Sequence, residues 1–210
     1  MAELTINKLI KRYGGNTILE FDEWKVNEGC YWIKGGNGKG KTTLFKIIAG
    51  QTPFSGTVAL NDIFLHKQPV SYRSGISYAE AEPLYPDFLT GTELLDYVIA
   101  IRKADRQSAA EITRLFKMDT FMHHQTGTYS SGMLKKLSLI LAFTGTIQLY
   151  ILDEPFITID KEAATILYQL INNQIQQGKT ILISSHQDID PAQITLSGIF
   201  EIDNQHMLTC

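Results

Sequence analysis

Cysteine is almost missing from this chain, and its scarcity excludes a fold built on disulfides. Two occur in 210 residues: Cys30, inside the apolar stretch CYWIKG, and Cys210, the last residue. A buried thiol and a terminal one suit a reducing compartment and provide no metal-ligand cluster. Long apolar runs are also missing. The most lipid-like segment, LSLILAFTGTIQLYIL at 137–152, falls short of the about 20 residues that cross a bilayer and carries Ser, Thr, Gly and Gln. It reads as a buried helix followed by a buried strand. Basic runs stop at two residues, and 19 basic against 22 acidic side chains leave a net charge of −3. That balance argues against nucleic acid as the main partner. Repeats and low-complexity linkers are absent, and the opening MAELTINKLIKRYGG lacks the basic-then-apolar layout of a secretory leader. The expectation is a cytoplasmic protein whose residues 1–210 form a single α/β domain.

What is present centres on KGGNGKGKTTLFKIIAG, residues 34–50. Gly35, Gly36, Asn37, Gly38, Lys39, Gly40, Lys41 and Thr42 fit the phosphate-loop pattern G-x-x-x-x-G-K-[ST] at every fixed position. A buried strand precedes the loop and a helix follows it. Backbone N–H groups then converge on a concavity, and the helix N-terminus adds partial positive charge. Lys41 can reach the β- and γ-phosphates of a nucleoside triphosphate, and the Thr42 hydroxyl can ligate Mg²⁺.

Around that loop the periodicity is mixed. ELTINKLI, ILEFDEWKV and CYWIKG read as strands, with Gly14-Gly15 and Glu28-Gly29 as turns. From about 83 to 145 the patterns are mostly helical, with a helix start at Thr90 to Glu93 and an N-cap at Ser130 or Ser131. LYILDEP and KTILISSH read as buried strands. Between them lies a helix with apolar residues at 163, 167, 170 and 171, and GIFEIDNQHML closes as a hairpin around Asn204. The architecture is an α/β core with an N-terminal β region and an inserted helical subdomain at about 83–145.

Three further constellations carry chemistry. In LYILDEP four apolar residues lead to Asp153, a carboxylate at a strand end suited to holding Mg²⁺ and its water. Glu154 follows directly and can polarise an attacking water. Ser130, Ser131 and Gly132 stand at the start of an apolar helix, a second potential anion site. His186 stands beyond the strand ILISS, at the carboxyl end where ligands collect in open α/β sheets.

In this order the motifs resemble those of the ABC (ATP-binding cassette) transporter ATP-binding subunits, over almost the whole chain. GGNGKGKTT resembles the Walker A segment, YSSGM the signature, LYILDEP Walker B with its catalytic glutamate, FITID the D-loop ending at Asp160, and His186 the switch histidine. KRYGG resembles the segment whose aromatic stacks on adenine, which makes that residue Tyr13. The resemblance implies a head-to-tail dimer formed on ATP, with Ser130, Ser131 and Gly132 reaching the γ-phosphate held by the opposite subunit. Lys41, Thr42, Thr43 and Asp153 would serve the chain's own ATP and Mg²⁺, Glu154 would be the general base, and His186 would touch the γ-phosphate. It further implies a separate transmembrane permease as partner at the inner face of the membrane, contacted through the helical insert. A non-transport ABC ATPase, in cofactor assembly or as a regulatory scaffold, is the second reading. A GTPase is disfavoured because NKLI at 7–10 lacks the Asp of N-K-x-D and precedes the phosphate loop.

Two positions depart from the family pattern. Ser131 and Met133 replace the usual Gly and Gln of the signature. In ISYAEAEPLYP the expected glutamine falls on Ala81, flanked by Glu80 and Glu82, and either glutamate is a candidate to take over its task.

Overall fold

A computed structural model describes residues 3–186 and 188–209 of the chain; Cys210 lies outside them. The first half contains β1 (Leu4–Tyr13), β2 (Asn16–Val26), β3 (Gly29–Lys34), α1 (Lys41–Ile48), β4 (Ser55–Leu60), β5 (Ile63–Phe64), α2 (Pro69–Ser74) and β6 (Ile76–Ala79). The second contains α3 (Gly91–Arg102), α4 (Arg106–Leu115), α5 (Ser131–Phe143), β7 (Leu149–Asp153), α6 (Lys161–Gln176), β8 (Thr180–Ser184), β9 (Gly198–Asp203) and β10 (His206–Thr209).

The strands divide between two sheets. One is antiparallel, in the order β2-β1-β4-β5; the other runs β10-β9-β3-β8-β7-β6. In the second sheet β9, β3, β8, β7 and β6 are mutually parallel, and β10 folds back on β9 as the hairpin expected around Asn204. Parallel strands buried on both faces read as continuous apolar runs, which is how LYIL and TILI look in the sequence.

Alternation along those strands sorts the core into two layers. Leu149, Ile151 and Leu182 face α1, whose Leu44, Phe45, Ile47 and Ile48 fill the space towards Leu4, Ile6, Leu19 and Phe21 of the antiparallel sheet. Tyr150, Leu152, Ile181 and Ile183 face the other way, onto Leu137 to Phe143 of α5 and Ala163, Leu167, Leu170 and Ile171 of α6. The four positions expected on one face of α6 are its buried residues. Cys30 belongs to this second layer, and burial pushes its thiol up to about 12, an inert side chain at neutral pH.

The insert is built as its caps dictate. Thr90 accepts from Glu93 N at 3.2 Å while Glu93 accepts from Thr90 N at 2.8 Å, a reciprocal box that starts α3. Of the two serines that could cap α5, it is Ser130 that does so, accepting from Met133 N at 3.3 Å. The stretch from Pro83 to Leu89 is irregular rather than helical. Helix α2 carries no periodicity that six residues could display, and only Pro69 at its first turn hints at it. Among the described residues no helix is long and apolar enough to cross a membrane.

Candidate functional site

The parallel strands β3, β8, β7 and β6 lie side by side, and all four end at the same edge. The phosphate loop leaves β3, Ser184 to His186 leave β8, Asp153 and Glu154 leave β7, and Ala81 with Glu82 follows β6. Loops from neighbouring strand ends converge in open α/β folds, and here they enclose a cavity of about 340 Å³. Its lining includes Gly36 to Thr43, Ala81, Glu82, Asp153, Glu154, Ile157 and His186. That volume lies within the range of small-molecule pockets.

The loop's backbone requires glycine where it turns into α1. Gly40 caps that helix at φ 107°, in the left-handed region, and a Cβ there would stand 3.1 Å from Leu19 Cδ2 and 3.3 Å from Ile18 Cγ2. Lys41, nearly buried, folds back over the loop and donates to Gly35 O at 2.5 Å and Gly36 O at 3.3 Å. Burial draws its ammonium below the usual lysine range, while Glu154 and Asp153 pull it up. Thr42 is exposed into the cavity, and Thr43 reaches the hydroxyl of Tyr13.

Opposite the loop, Asp153 is 1% exposed. Its Oδ1 accepts from Ser184 Oγ at 2.5 Å and its Oδ2 from Tyr78 at 3.3 Å. Ser184 Oγ in turn accepts from Glu154 N at 3.0 Å, so one hydroxyl aligns both acids. Glu154 holds φ 46°, a left-handed backbone that costs a non-glycine residue roughly 1–2 kcal/mol. Such strain is tolerated where the surroundings over-determine it. They do here: Glu154 Oε2 accepts from His186 N at 3.0 Å, and Oε1 lies 3.1 Å from His186 Nε2. The Trp32 indole donates to Ser185 O at 3.4 Å and steadies the turn that carries the histidine.

The Thr42 hydroxyl and the Asp153 carboxylate face one cavity, and hard oxygen donors of this kind are what Mg²⁺ takes. The residues present therefore fit that ion.

Other expected residues lie apart from this cavity. Tyr13 is half exposed, with Lys11 Nζ 4.3 Å from its ring centre; hydrogen bonds led by Thr52 draw its hydroxyl below the usual range. Ser130 and Ser131 are exposed at the start of α5, and Gly132 is fixed there because a Cβ would come 2.8 Å from Thr158 O. None of the three lines the cavity of its own chain. Asp160 caps α6, accepting from Ala163 N at 2.8 Å and from Lys136 Nζ at 2.6 Å, so its carboxylate is engaged within the chain. Of the two glutamates beside Ala81, Glu82 lines the cavity, whereas Glu80 faces a separate recess beside Tyr78, Tyr85 and Ser138.

Sequence reasoning missed Ser184, Tyr78 and Ile157. A serine closing the apolar run TILIS was the one available signal; the rest depend on which strands become neighbours.

A phosphate loop between a parallel strand and a helix, faced by an acidic strand end, defines a P-loop nucleoside-triphosphatase fold. A sequence model of the family described as ABC transporter matches residues 22–157, more than half the chain, and the chain belongs to that family as a nucleotide-binding subunit. It is 30% identical over 193 residues to "Retinal-specific phospholipid-transporting ATPase ABCA4" of Mus musculus, covering 87% of this chain and 8% of that protein. To "Nod factor export ATP-binding protein I" of Burkholderia orbicola (strain AU 1054) it is 28% identical, covering 89% of this chain and 63% of the relative. The chain thus spans less than two thirds of either relative. "Cytochrome c biogenesis ATP-binding export protein CcmA" of Legionella pneumophila is 28% identical, with 77% and 80% covered. Among solved structures, "Structure of ATP binding subunit of ABC transporter" superposes with a TM-score of 0.89 at 25% identity, over 98% of this chain and 89% of that one. The fold is that of ABC ATPases, and ATP binding is the property the family shares.

Proposed function

We propose that residues 1–210 act as a single ATPase domain that binds Mg·ATP in this cavity, hydrolyses it and energises a separate transmembrane permease. The observation that carries the reading is the convergence of the phosphate loop, Asp153, Glu154 and His186 on one cavity at one sheet edge. When bound, Mg²⁺ would be held by Thr42 and Asp153 and would neutralise phosphate charge. Lys41 exchanges its loop carbonyls for β- and γ-phosphate oxygens. Glu154 takes the proton of the attacking water, His186 steadies the γ-phosphate, and Tyr13 supports the adenine. Ser130 and Ser131, exposed, and Gly132, half-buried beside them, lie away from their own cavity and complete the site of a second chain paired head to tail. Radioactive ATP turnover by the purified chain, dependent on Mg²⁺, tests the core of this reading; absence of ATP binding would overturn it.

The permease reading draws on the transport named for the relatives and on a groove between α2 and α3. That groove, about 530 Å³, is lined by Val70, Ile76, Tyr97, Val98 and Ile101 with Arg73 and Lys103 at its rim. Val70, Tyr97 and Ile101 are 77%, 65% and 62% exposed. Large apolar side chains in such a cluster mark an interaction surface, and its basic rim suits an apolar permease segment flanked by acidic residues. Tyr97→Glu with Ile101→Glu should abolish co-purification with the cognate multispan permease while ATP affinity stays unchanged; retained association would refute the docking site. The Legionella relative's name joins cytochrome c biogenesis to export, which keeps an assembly role as the second reading.

Of the flanking glutamates we assign the role of the missing glutamine to Glu82. Glu82→Ala should change the Mg²⁺ concentration needed for ATP binding, and Glu80→Ala should not. Equal behaviour of the two variants in calorimetry would remove the assignment.

A further inference from the structure

Lys135 lies on α5, five residues after Ser130, and is completely buried. A buried ammonium is stable only where each of its three N–H groups finds an acceptor. Here all three do. Nζ donates to Glu80 O at 2.7 Å, to Ala81 O at 3.1 Å and to Asp153 O at 2.9 Å. These acceptors are backbone carbonyls from two different strand ends, those of β6 and β7. Ala81 and Asp153 both line the phosphate cavity, so a side chain from the helical insert reaches behind the cavity wall and fastens two of its walls together. The Coulomb field of Asp153, Glu154 and Glu80 favours the charged amine, against the desolvation that draws it down to about 8.

The neighbouring lysine extends the attachment. Lys136 Nζ lies 2.6 Å from Asp160 Oδ2, tying α5 to the loop that follows Glu154. That contact is at the surface, where an ion pair contributes little. The Lys135 contact is buried, charge-assisted and threefold, and carries the rigidity.

We propose that Lys135 is a positioning residue for the metal-bearing wall of the nucleotide site. By holding the carbonyls of Ala81 and Asp153, it fixes the spacing between the loop after β6 and the Asp153 carboxylate, and it ties that spacing to the helix carrying Ser130 and Ser131. Because position 81 is alanine, no side chain there spans the gap, and the lysine constrains the loop through its backbone instead. This rests on the reading of the cavity as a Mg·ATP site.

The experiment measures ATP affinity by calorimetry with Mg²⁺ and with EDTA, for the parent chain and for Lys135→Met, Lys135→Gln and Lys135→Arg. Methionine matches the stem and removes all three donors. Its Mg²⁺-dependent gain in affinity should fall by about tenfold, the lower reach of groups that orient metal ligands. Affinity in EDTA, which depends on the phosphate loop, should stay unchanged. Arginine keeps charge and donors and should recover part of the gain. If the methionine variant does not fold, glutamine, with two N–H donors, carries the same comparison. A merely structural lysine would lower the melting temperature and leave the Mg²⁺ gain intact, and that result would overturn the proposal. A parent chain that binds no ATP overturns the functional reading and this inference with it; a parent that binds, with variants showing the parental gain, overturns the inference alone.

Discussion

Lys41→Ala is expected to weaken ATP binding by ~10–100-fold, the loss of a charged hydrogen-bonding group worth about 1.5–3 kcal/mol. Two observations set the expectation. Among the described residues Lys41 Nζ donates to the carbonyls of Gly35 and Gly36, in the loop that would wrap a triphosphate. It also shares the cavity with Asp153 and Glu154, whose negative charge is left facing the phosphates once the lysine is removed. Like charges at that range repel, which pushes the loss towards the upper end of the expected span. ADP, lacking the γ-phosphate, should lose less than ATP. The fold should survive, because Leu44, Phe45, Ile47 and Ile48 still anchor α1. Calorimetry on a variant with unchanged circular dichroism is the measurement, and parental ATP affinity would count against the phosphate-loop assignment.

The phosphate loop was legible because its chemistry is local: glycines for the turn, a lysine and a hydroxyl at fixed offsets, a strand before and a helix after. The same holds for α6, whose apolar stripe at 163, 167, 170 and 171 is a one-dimensional record of one buried face. Asp153 and Glu154 could be placed at a strand end because the four residues before them are apolar. What was not legible is what two distant segments do together. Ser184 aligns both acids only because β8 lies beside β7, with Asp153 opposite Ser184 in register. Lys135 stands in the sequence only as one half of a two-residue basic run; its burial beneath two strand ends is set by the packing and by nothing in its spacing. The two-residue β5 and six-residue α2 are too short for any period to show. The pair beside Ala81 was ambiguous in sequence because alternation alone does not say which side of an irregular loop faces the cavity. The geometry separates them, with Glu82 inside and Glu80 beside Tyr85.

Glu154→Gln should lower ATP turnover by ~10²–10⁴, the usual contribution of a general base, while leaving ATP binding intact. The substitution keeps the side chain's size at a position that is 6% exposed and held at φ 46°, so no cavity or new clash is introduced. The backbone contacts that hold the residue also survive. Glu154 N still donates to Ser184 Oγ, and the amide oxygen still accepts from His186 N, now 3.0 Å from Oε2. What disappears is the second carboxylate oxygen, 3.1 Å from His186 Nε2, and with it the carboxylate that the proposed function uses as the base. The amide N–H can donate to a neutral His186 ring, so the pair stays together without being able to act as a base. ATP should therefore persist in the site. If Ser130, Ser131 and Gly132 complete the opposite chain's site, persistent ATP should convert monomers into dimers, visible by size-exclusion chromatography with light scattering. Loss of turnover without dimer formation would leave Glu154 as the base and remove the head-to-tail pairing. Hydrolysis at the parental rate would remove Glu154 from its role, and the acid aligned by Ser184 and His186 would then need another explanation.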